Sequence, residues 1–411
     1  MKQQIETYGN LIFEYAKKNY RQCFREPDRL LKYKFIVPGS SYSNSLWDWD
    51  SWLTDIALSG IAEEDISEYE KGCILNFLDL VDNDGRMPIL IMPDKCNVGG
   101  KLPNGEEERN IHKPCLAQHA LFISECHGND ADWLRDKLYL IEKYIEWYDI
   151  NSLHESGLYV WITDNAIGVD NDPCTFYRPR KSSASIYLNC FMYKELLAIA
   201  KICDMLGIDD KQSVYKAKAD ALRDAIQLHC WDERDGCFYS VDTLLLPIDS
   251  NVSLHSGCPR HWNTLIQRID VWSNFLPMWA GIATDEQAKQ MVERHYKNER
   301  TFNSPYGVRT LGKTEKMYAV IKSGNPSCWL GPIWGISNYM VFEGLVKYGF
   351  LDEARELAEK TIAMFGKDIE VNGEPHEYYD PETGIGVNNP GYQDWNLLSV
   401  NMFEWWKNNC R

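Results

Sequence analysis

The chain has 411 residues and a formal net charge of −17, and it is 44% apolar, 25% charged and 13% aromatic, with 15 Trp and 23 Tyr. That balance is ordinary for a globular protein, and a chain of this length buries ~75% of its unfolded surface without needing disulfides or a structural metal. The acid excess and the lack of any Lys/Arg stripe argue against a phosphate-backbone partner, so no nucleic acid is expected.

From the N-terminus, Met1 to Arg21 is polar and charged, with no apolar core of a signal peptide. No segment approaches the ~18 consecutive apolar residues of a membrane span. The 13 cysteines are odd in number and lie in apolar segments, as Cys73, Cys190 and Cys203 do, without zinc-site spacing. Reduced thiols in a cytoplasmic protein are the expectation. No oligomeric state follows from the sequence.

Apolar periodicity predicts roughly twelve helices, near 3–24, 51–62, 66–80, 113–126, 131–149, 182–206, 210–231, 270–282, 284–297, 332–347, 351–367 and 394–408. Buried and amphipathic helices alternate. Ile186 to Leu206 is mostly apolar, whereas Gln212 to Trp231 carries its charges on one face. Likewise the helix near Ile333 to Lys347 is apolar on most sides, while the next one stripes Leu351, Ala354, Leu357, Ala358, Ile362 and Phe365 along a single face. No short sequence repeat marks a solenoid. A closed toroid of paired inner and outer helices is predicted, all-α and a single domain over 1–411.

Long connections lie near 38–50, 82–113, 155–180, 298–330 and 368–394. They hold Trp, Tyr, Asp, Asn and Gly rather than the composition of disordered linkers, and loops above ~12–15 residues are usually functional. Gathered at one end of the toroid they would form an aromatic, acidic pocket. Aromatic faces stack on sugar rings and carboxylates accept sugar hydroxyls, so a small carbohydrate is the expected partner. The segment Asp82 to Arg86 begins like a calcium loop but lacks the later ligands, and reads as a tight turn. The nine His form no HExxH cluster, so no metal is expected. Gly99-Gly100 and Gly331 lack a phosphate-loop context. No cofactor is expected.

Five segments carry a more specific signal: SLWDWDSWLTDIAL from Ser45, NIHKPCLAQHAL from Asn110, GVDNDPCTFYRP from Gly168, CWLGPIWGISNYMVFEGL from Cys328 and EPHEYYDPETG from Glu374. Together they resemble glycoside hydrolase family 63 and the trehalase-like group, especially the mannosylglycerate-hydrolase-like branch. The family's W-D-S/T-x-F run is matched by Trp49, Asp50 and Ser51, with Leu53 for Phe. Its K/Q-P-P-x-x-A is matched by Lys113, Pro114 and Ala117, with Cys115 for the second Pro. Its W-R-G-P-x-W-x-x-x-N-Y is matched by Trp329, Gly331, Pro332, Trp334, Asn338 and Tyr339, with Leu330 for Arg. The matches keep family order from about residue 45 to 400.

The resemblance implies a six-hairpin (α/α)6 barrel and inverting hydrolysis of an α-glycoside. The general acid falls on Asp170, with Asp172 as the alternative register and standing where the family has Ser. The general base falls on Glu377, with Glu374 as the alternative. Carboxyls ~6.5–9.5 Å apart would leave room for the attacking water. Trp49, Asp50, Lys113, Arg178, Tyr306, Trp329, Trp334, Tyr378 and Trp395 are the expected substrate-binding residues, although Asp50 also reads as an N-cap for a helix starting near Ser51. The implied substrate is a small disaccharide or glycosyl glycerate, an α-glucoside or α-mannoside; Lys113, Arg178, Arg180 and Arg309 are the cations available to a carboxylate-bearing aglycone. Two other readings are a sugar epimerase or isomerase using His112, His119 and His376, and a catalytically degenerate carbohydrate-binding protein.

Overall fold

Helix α1 (Lys2–Asn19) opens a chain whose computed structural model describes residues 2–245, 262–320 and 326–410. Eleven further helices follow among the described residues: α2 (Asp48–Leu58), α3 (Ser67–Leu78), α4 (Leu116–Cys126), α5 (Leu138–Asn151), α6 (Ile186–Met205), α7 (Asp209–Cys230), α8 (Leu276–Ala280), α9 (Asp285–Met291), α10 (Gly335–Lys347), α11 (Leu351–Asn372) and α12 (Leu398–Asn409). The sequence pattern located all twelve. Several predicted spans break into a 3-10 turn and a shorter α-helix, as at Trp272–Phe275 before α8 and Asp394–Leu397 before α12. Helix α11 outlasts its prediction, so Asp368 sits on a helix and the following loop starts at Gly373.

The even-numbered helices close a ring. Helix α2 packs on α4, α4 on α6, α6 on α8, α8 on α10, α10 on α12, and α12 back on α2. Outer helices lean on them: α3 on α4, α7 on α6, α11 on α10 and α12, and α1 on α11 and α12. Burial follows the same division. In α2, 10 of 11 residues are buried and in α6 15 of 20, whereas α7 buries 6 of 22 along one stripe. The fold is the (α/α)6 barrel. Among the described residues no helix is long and apolar enough to cross a membrane, no group of acids, His and Cys could hold a metal ion, and the cysteines are free thiols.

Inner helices share a direction. Cavity-lining residues at one mouth come from the start of α2 (Trp49, Asp50) or just ahead of α4, α10 and α12 (Lys113, Trp334, Trp395). A second cavity, at the other mouth, is lined by Ile56, Glu125, Ala280 and Lys347, from the later parts of α2, α4, α8 and α10. Long loops therefore collect at the N-terminal mouth. Of the expected loop 298–330, residues 321–325 lie outside the described residues. Asp82 to Arg86 is the predicted turn: Gly85 N–H donates to the Asp82 carbonyl (3.1 Å), and Arg86 is buried in a two-point pair with Glu107 (2.7 and 2.9 Å).

Outer helices pack tightly where glycine permits. A Cβ on Gly366 of α11 would stand 2.3 Å from Tyr8 Cβ of α1, and one on Gly9 of α1 would meet the Phe403 ring of α12 at 2.2 Å. Gly366→Ala is expected to destabilise the protein: overpacking costs about 1–3 kcal/mol and exceeds the gain in helix propensity of up to ~1 kcal/mol. Chemical denaturation checks this, with a lowered midpoint expected; an unchanged or raised midpoint would refute the close packing.

Candidate active site

Two short backbone ladders carry the main side chains to the mouth. Leu46 and Trp47 pair antiparallel with Leu90 and Ile91, and the Asp48 N–H donates to the Ile89 carbonyl (3.1 Å), which delivers the chain into α2. Asp50 is the third residue of that helix, not its cap. Its position in the first turn, near the positive end of the helix dipole, favours a carboxylate there. In the second ladder Trp334 lies opposite Tyr378 and Ile333 opposite Tyr379, so Glu377 is fixed beside Trp334. The Glu377 N–H donates to the Asn388 carbonyl (2.9 Å), closing the hairpin that holds it.

Asp170 sits on an irregular loop pinned from several sides. The Asn110 amide donates to the carbonyls of Thr163 (2.9 Å) and Asn165 (2.5 Å), and its oxygen accepts the Ile162 N–H (2.8 Å). The Tyr187 hydroxyl donates to the Ile167 carbonyl (3.1 Å), and Asn171 Oδ1 accepts the Trp329 N–H (2.8 Å). Gly168, at φ +86°, lets the loop lie against Trp49; a Cβ there would come within 2.6 Å of the indole.

These elements surround a cavity of about 120 Å³. Trp49, Asp50, Lys113, Asp170, Trp329, Trp334, Glu377 and Trp395 all line it, as expected, joined by Tyr42, Trp47, Ile89, Ala166, Gly168, Ser327 and Tyr392. The walls are aromatic stacks. Trp329 lies on Trp334 (centroids 4.1 Å apart, planes 6° apart), Trp334 on Tyr378 (4.9 Å), and Trp395 meets Trp49 edge to face (5.4 Å).

Three expected residues lie elsewhere. Arg178 is paired with Asp242, away from the cavity. Tyr306 packs beneath the turn at Gly384. Tyr378 is fully buried behind Trp334, its hydroxyl donating to the Pro326 carbonyl (2.7 Å). The register alternatives also separate. Asp172 is absorbed by its own turn, accepting the Cys174 N–H (3.1 Å) and the Thr175 hydroxyl (3.2 Å), and Glu374 is exposed.

Electrostatics distinguish the cavity carboxyls. Burial pushes Glu377 up to about 7, and Asp50 adds to that; hydrogen bonds from Asn388 (3.0 Å) and Tyr42 (3.3 Å), with the nearby Asn389 amide, favour the anion but do not win. Burial also raises Asp50, which is hydrogen-bonded to Asp394 behind it. Asp48 behaves oppositely. Burial would raise it, but Lys113 Nζ at 2.6 Å, His112 and the Lys113 N–H at 3.0 Å hold it below the ordinary carboxylate range. Lys113 thus reaches the cavity already neutralised, its ammonium 4.9 Å from the Trp49 ring centroid. Arg309 is buried against Glu382, and the half-buried Arg180 donates to the backbone carbonyls of Glu107 and Glu108. None of the three histidines lines the cavity: His112 is bonded to the Lys113 carbonyl, His119 to Asp55 (2.9 Å) and His376 to Asp368 (2.9 Å).

Residues 42–395 match the family model of the mannosylglycerate hydrolase MGH1-like glycoside hydrolase domain. The chain belongs to that family. Curated relatives include a probable trehalase of Eremothecium gossypii, 23% identical over 90% of this chain and 55% of its own length. The mannosylglycerate hydrolase MGH1 of Selaginella moellendorffii is 31% identical over a stretch covering 28% of this chain and 21% of that protein. The chain spans about half the length, or less, of these curated relatives. Among solved structures, the family 63 mannosylglycerate hydrolase of Thermus thermophilus in complex with glucose superposes with a TM-score of 0.64 at 19% identity, over 93% of this chain and 97% of that one. Neutral trehalase Nth1 of Saccharomyces cerevisiae gives 0.63 at 18% identity, over 96% and 80%. Both share the barrel.

Within this glycoside hydrolase domain, Gly168→Ala is expected to push Trp49 and the Asp170 loop apart. A displacement of ~1 Å can cost about 10²-fold in rate, so a comparable fall in kcat/KM with an intact fold by circular dichroism is the expected result. Unchanged kcat/KM would show that the loop tolerates the shift.

Proposed function

We propose that the chain is an inverting glycoside hydrolase that cleaves the α-glycosidic bond of a small disaccharide, an α-glucoside first and an α-mannoside second. The observation that carries the reading is that Asp170 and Glu377, from loops more than two hundred residues apart in sequence, line one tryptophan-walled cavity. In the reaction Asp170 donates its proton to the departing glycosidic oxygen. Glu377 takes a proton from a water that attacks the anomeric carbon on the opposite ring face, so that the bond to the aglycone breaks as the bond to water forms. Trp49, Trp329, Trp334 and Trp395 offer faces for the sugar, and Asp50 accepts its hydroxyls.

A neutral aglycone fits better than a glycerate. Of the four cations weighed for a carboxylate, Arg178, Arg180 and Arg309 are engaged away from the cavity and Lys113 is held by Asp48. The comparisons support both halves of the family, since the relatives' names include trehalases and mannosylglycerate hydrolases. An epimerase would need an acid/base histidine in the cavity, and the three candidates are bonded elsewhere.

Substrate panels of α-glucosides and α-mannosides, with trehalose and mannosylglycerate as the neutral and anionic members, test the reading through release of a reducing sugar. Asp170→Asn and Glu377→Gln are each expected to lower kcat by about 10³-fold, the scale of general acid or base catalysis. Full activity in either would remove that residue from the mechanism. As a base Glu377 works ionised, so kcat/KM should fall about tenfold per pH unit below its midpoint, which lies near pH 7. Asn388→Ala withdraws a bond that favours the anion and should move this limb to higher pH; a limb left near pH 4 in both proteins would contradict the assignment.

A further inference from the structure

Behind Asp50 lies a residue that no family resemblance singled out. Asp394 opens the 3-10 turn before α12, is fully buried, and has φ +26°, a left-handed backbone that an aspartate adopts only when its surroundings impose it. They do so here through two bonds: the N–H groups of Gln393 and Asp394 both donate to the Pro38 carbonyl (3.2 and 3.1 Å). The strained turn aims the side chain at α2. Its Oδ1 accepts the Thr54 hydroxyl (2.9 Å) and its Oδ2 the Tyr392 hydroxyl (2.5 Å), and its remaining hydrogen bond is to the Asp50 carboxyl.

Two carboxyls in direct hydrogen bond must share a proton, because two anions so close cannot both persist out of water. Burial is the largest influence on each. It raises Asp394 well above the carboxylate range, with repulsion from Asp50 adding to it, whereas Lys113 pulls Asp50 back. The proton therefore resides on Asp394 and the negative charge on Asp50, on the cavity side. Asp48, Lys113, Glu377, Tyr42, Tyr392, Cys23, Cys115 and Tyr187 are among the other ionisable groups whose fields reach this pair.

We propose that Asp394 is a positioning residue: as a carboxylic acid it donates to one oxygen of Asp50 and thereby fixes that carboxylate with its charge toward the cavity, where it accepts sugar hydroxyls. The inference rests on the reading of Asp50 as a sugar ligand and adds the residue that sets its orientation and charge. Holding Asp50 from behind with a neutral donor, rather than with a second cation, leaves its charge available to the ligand. A merely structural Asp394 would act on stability and not through Asp50.

A double-mutant cycle separates these cases. The probe is D-glucose or D-mannose, whichever quenches tryptophan emission more, and each variant is first shown to be folded by near-UV circular dichroism. Asp50→Asn should weaken binding about 10–100-fold, the range of a hydrogen bond to a charged group. Asp394→Ala should weaken it by at least about 10-fold, and Asp394→Asn, which keeps a donor, by no more than about threefold. In the Asp50→Asn background, Asp394→Ala should cost less than about twofold more, because its effect runs through Asp50. If Asp50→Asn binds as well as wild type, the parent reading of Asp50 fails. If Asp50→Asn weakens binding but Asp394→Ala does not, or its loss adds in full in the double variant, or Asn is as poor as Ala, the positioning role is refuted. Should Asp394→Ala not fold, the comparison of Asp394→Asn with Asp394→Leu in both backgrounds decides in the same way.

Discussion

Everything at the site depends on the closure of six inner helices that all point their N-termini at one mouth. Such a ring collects backbone N–H groups and positive dipole ends on one side, a setting that favours carboxylates. Buried acids then tie successive inner helices together. Glu195 of α6 accepts the N–H groups of Ala117 (2.7 Å) and Gln118 (3.1 Å) in α4. Asp48 of α2 holds Lys113 at the approach to α4, Asp55 of α2 holds His119 of α4, and Asp394 at the start of α12 holds Thr54 of α2. Part of the acid surplus is therefore structural mortar inside the barrel.

Not all these acids are equivalent, and their surroundings say why. Glu195 is pushed up to about 8 because burial outweighs the backbone N–H groups that favour its anion. Asp48 falls below the ordinary range because a lysine lies within 2.6 Å. Glu377 lies between, poised near neutrality by burial against neutral donors from Asn388 and Tyr42. A base poised near the working pH is the state in which proton abstraction is most effective. Burial in the tryptophan-walled cavity sets this balance, while the short ladder between Trp334 and Tyr378 locks the Glu377 backbone in place.

Much of the fold was legible in the sequence, because helix periodicity is a local property. Alternating buried and amphipathic segments distinguished inner helix α6 from outer helix α7 before any contact was known. The alternation also suggested a closed toroid, but the count of six hairpins was not local and came from the resemblance. Asp170 and Glu377 reach the cavity as their motif positions implied, and Asp172 and Glu374 do not. The errors share a cause. Arg178, Tyr306 and Tyr378 sit in the right segments, but sequence spacing says nothing of which way a loop side chain turns, and two-residue strands leave no alternation to read. Tyr42 and Asp394 were missed because their partners lie far along the chain, Glu377 across 335 positions and Thr54 across 340; Asn388 and Tyr392 were missed although their partners Glu377 and Asp394 are near in sequence, because loop side chains carry no periodic signal. The DNDGR turn was readable because its bonds close within five residues.

The central claim is that Asp170 and Glu377 act on opposite faces of one sugar ring, and the anomer released first reports that geometry most directly. Proton NMR during the first minutes of hydrolysis of an α-glycoside, before mutarotation equilibrates the product, should show the β-anomer accumulating ahead of the α-anomer. Release of the α-anomer first would mean retention, a nucleophile bonded to the sugar in place of an activated water, and an arrangement of carboxyls other than the one described.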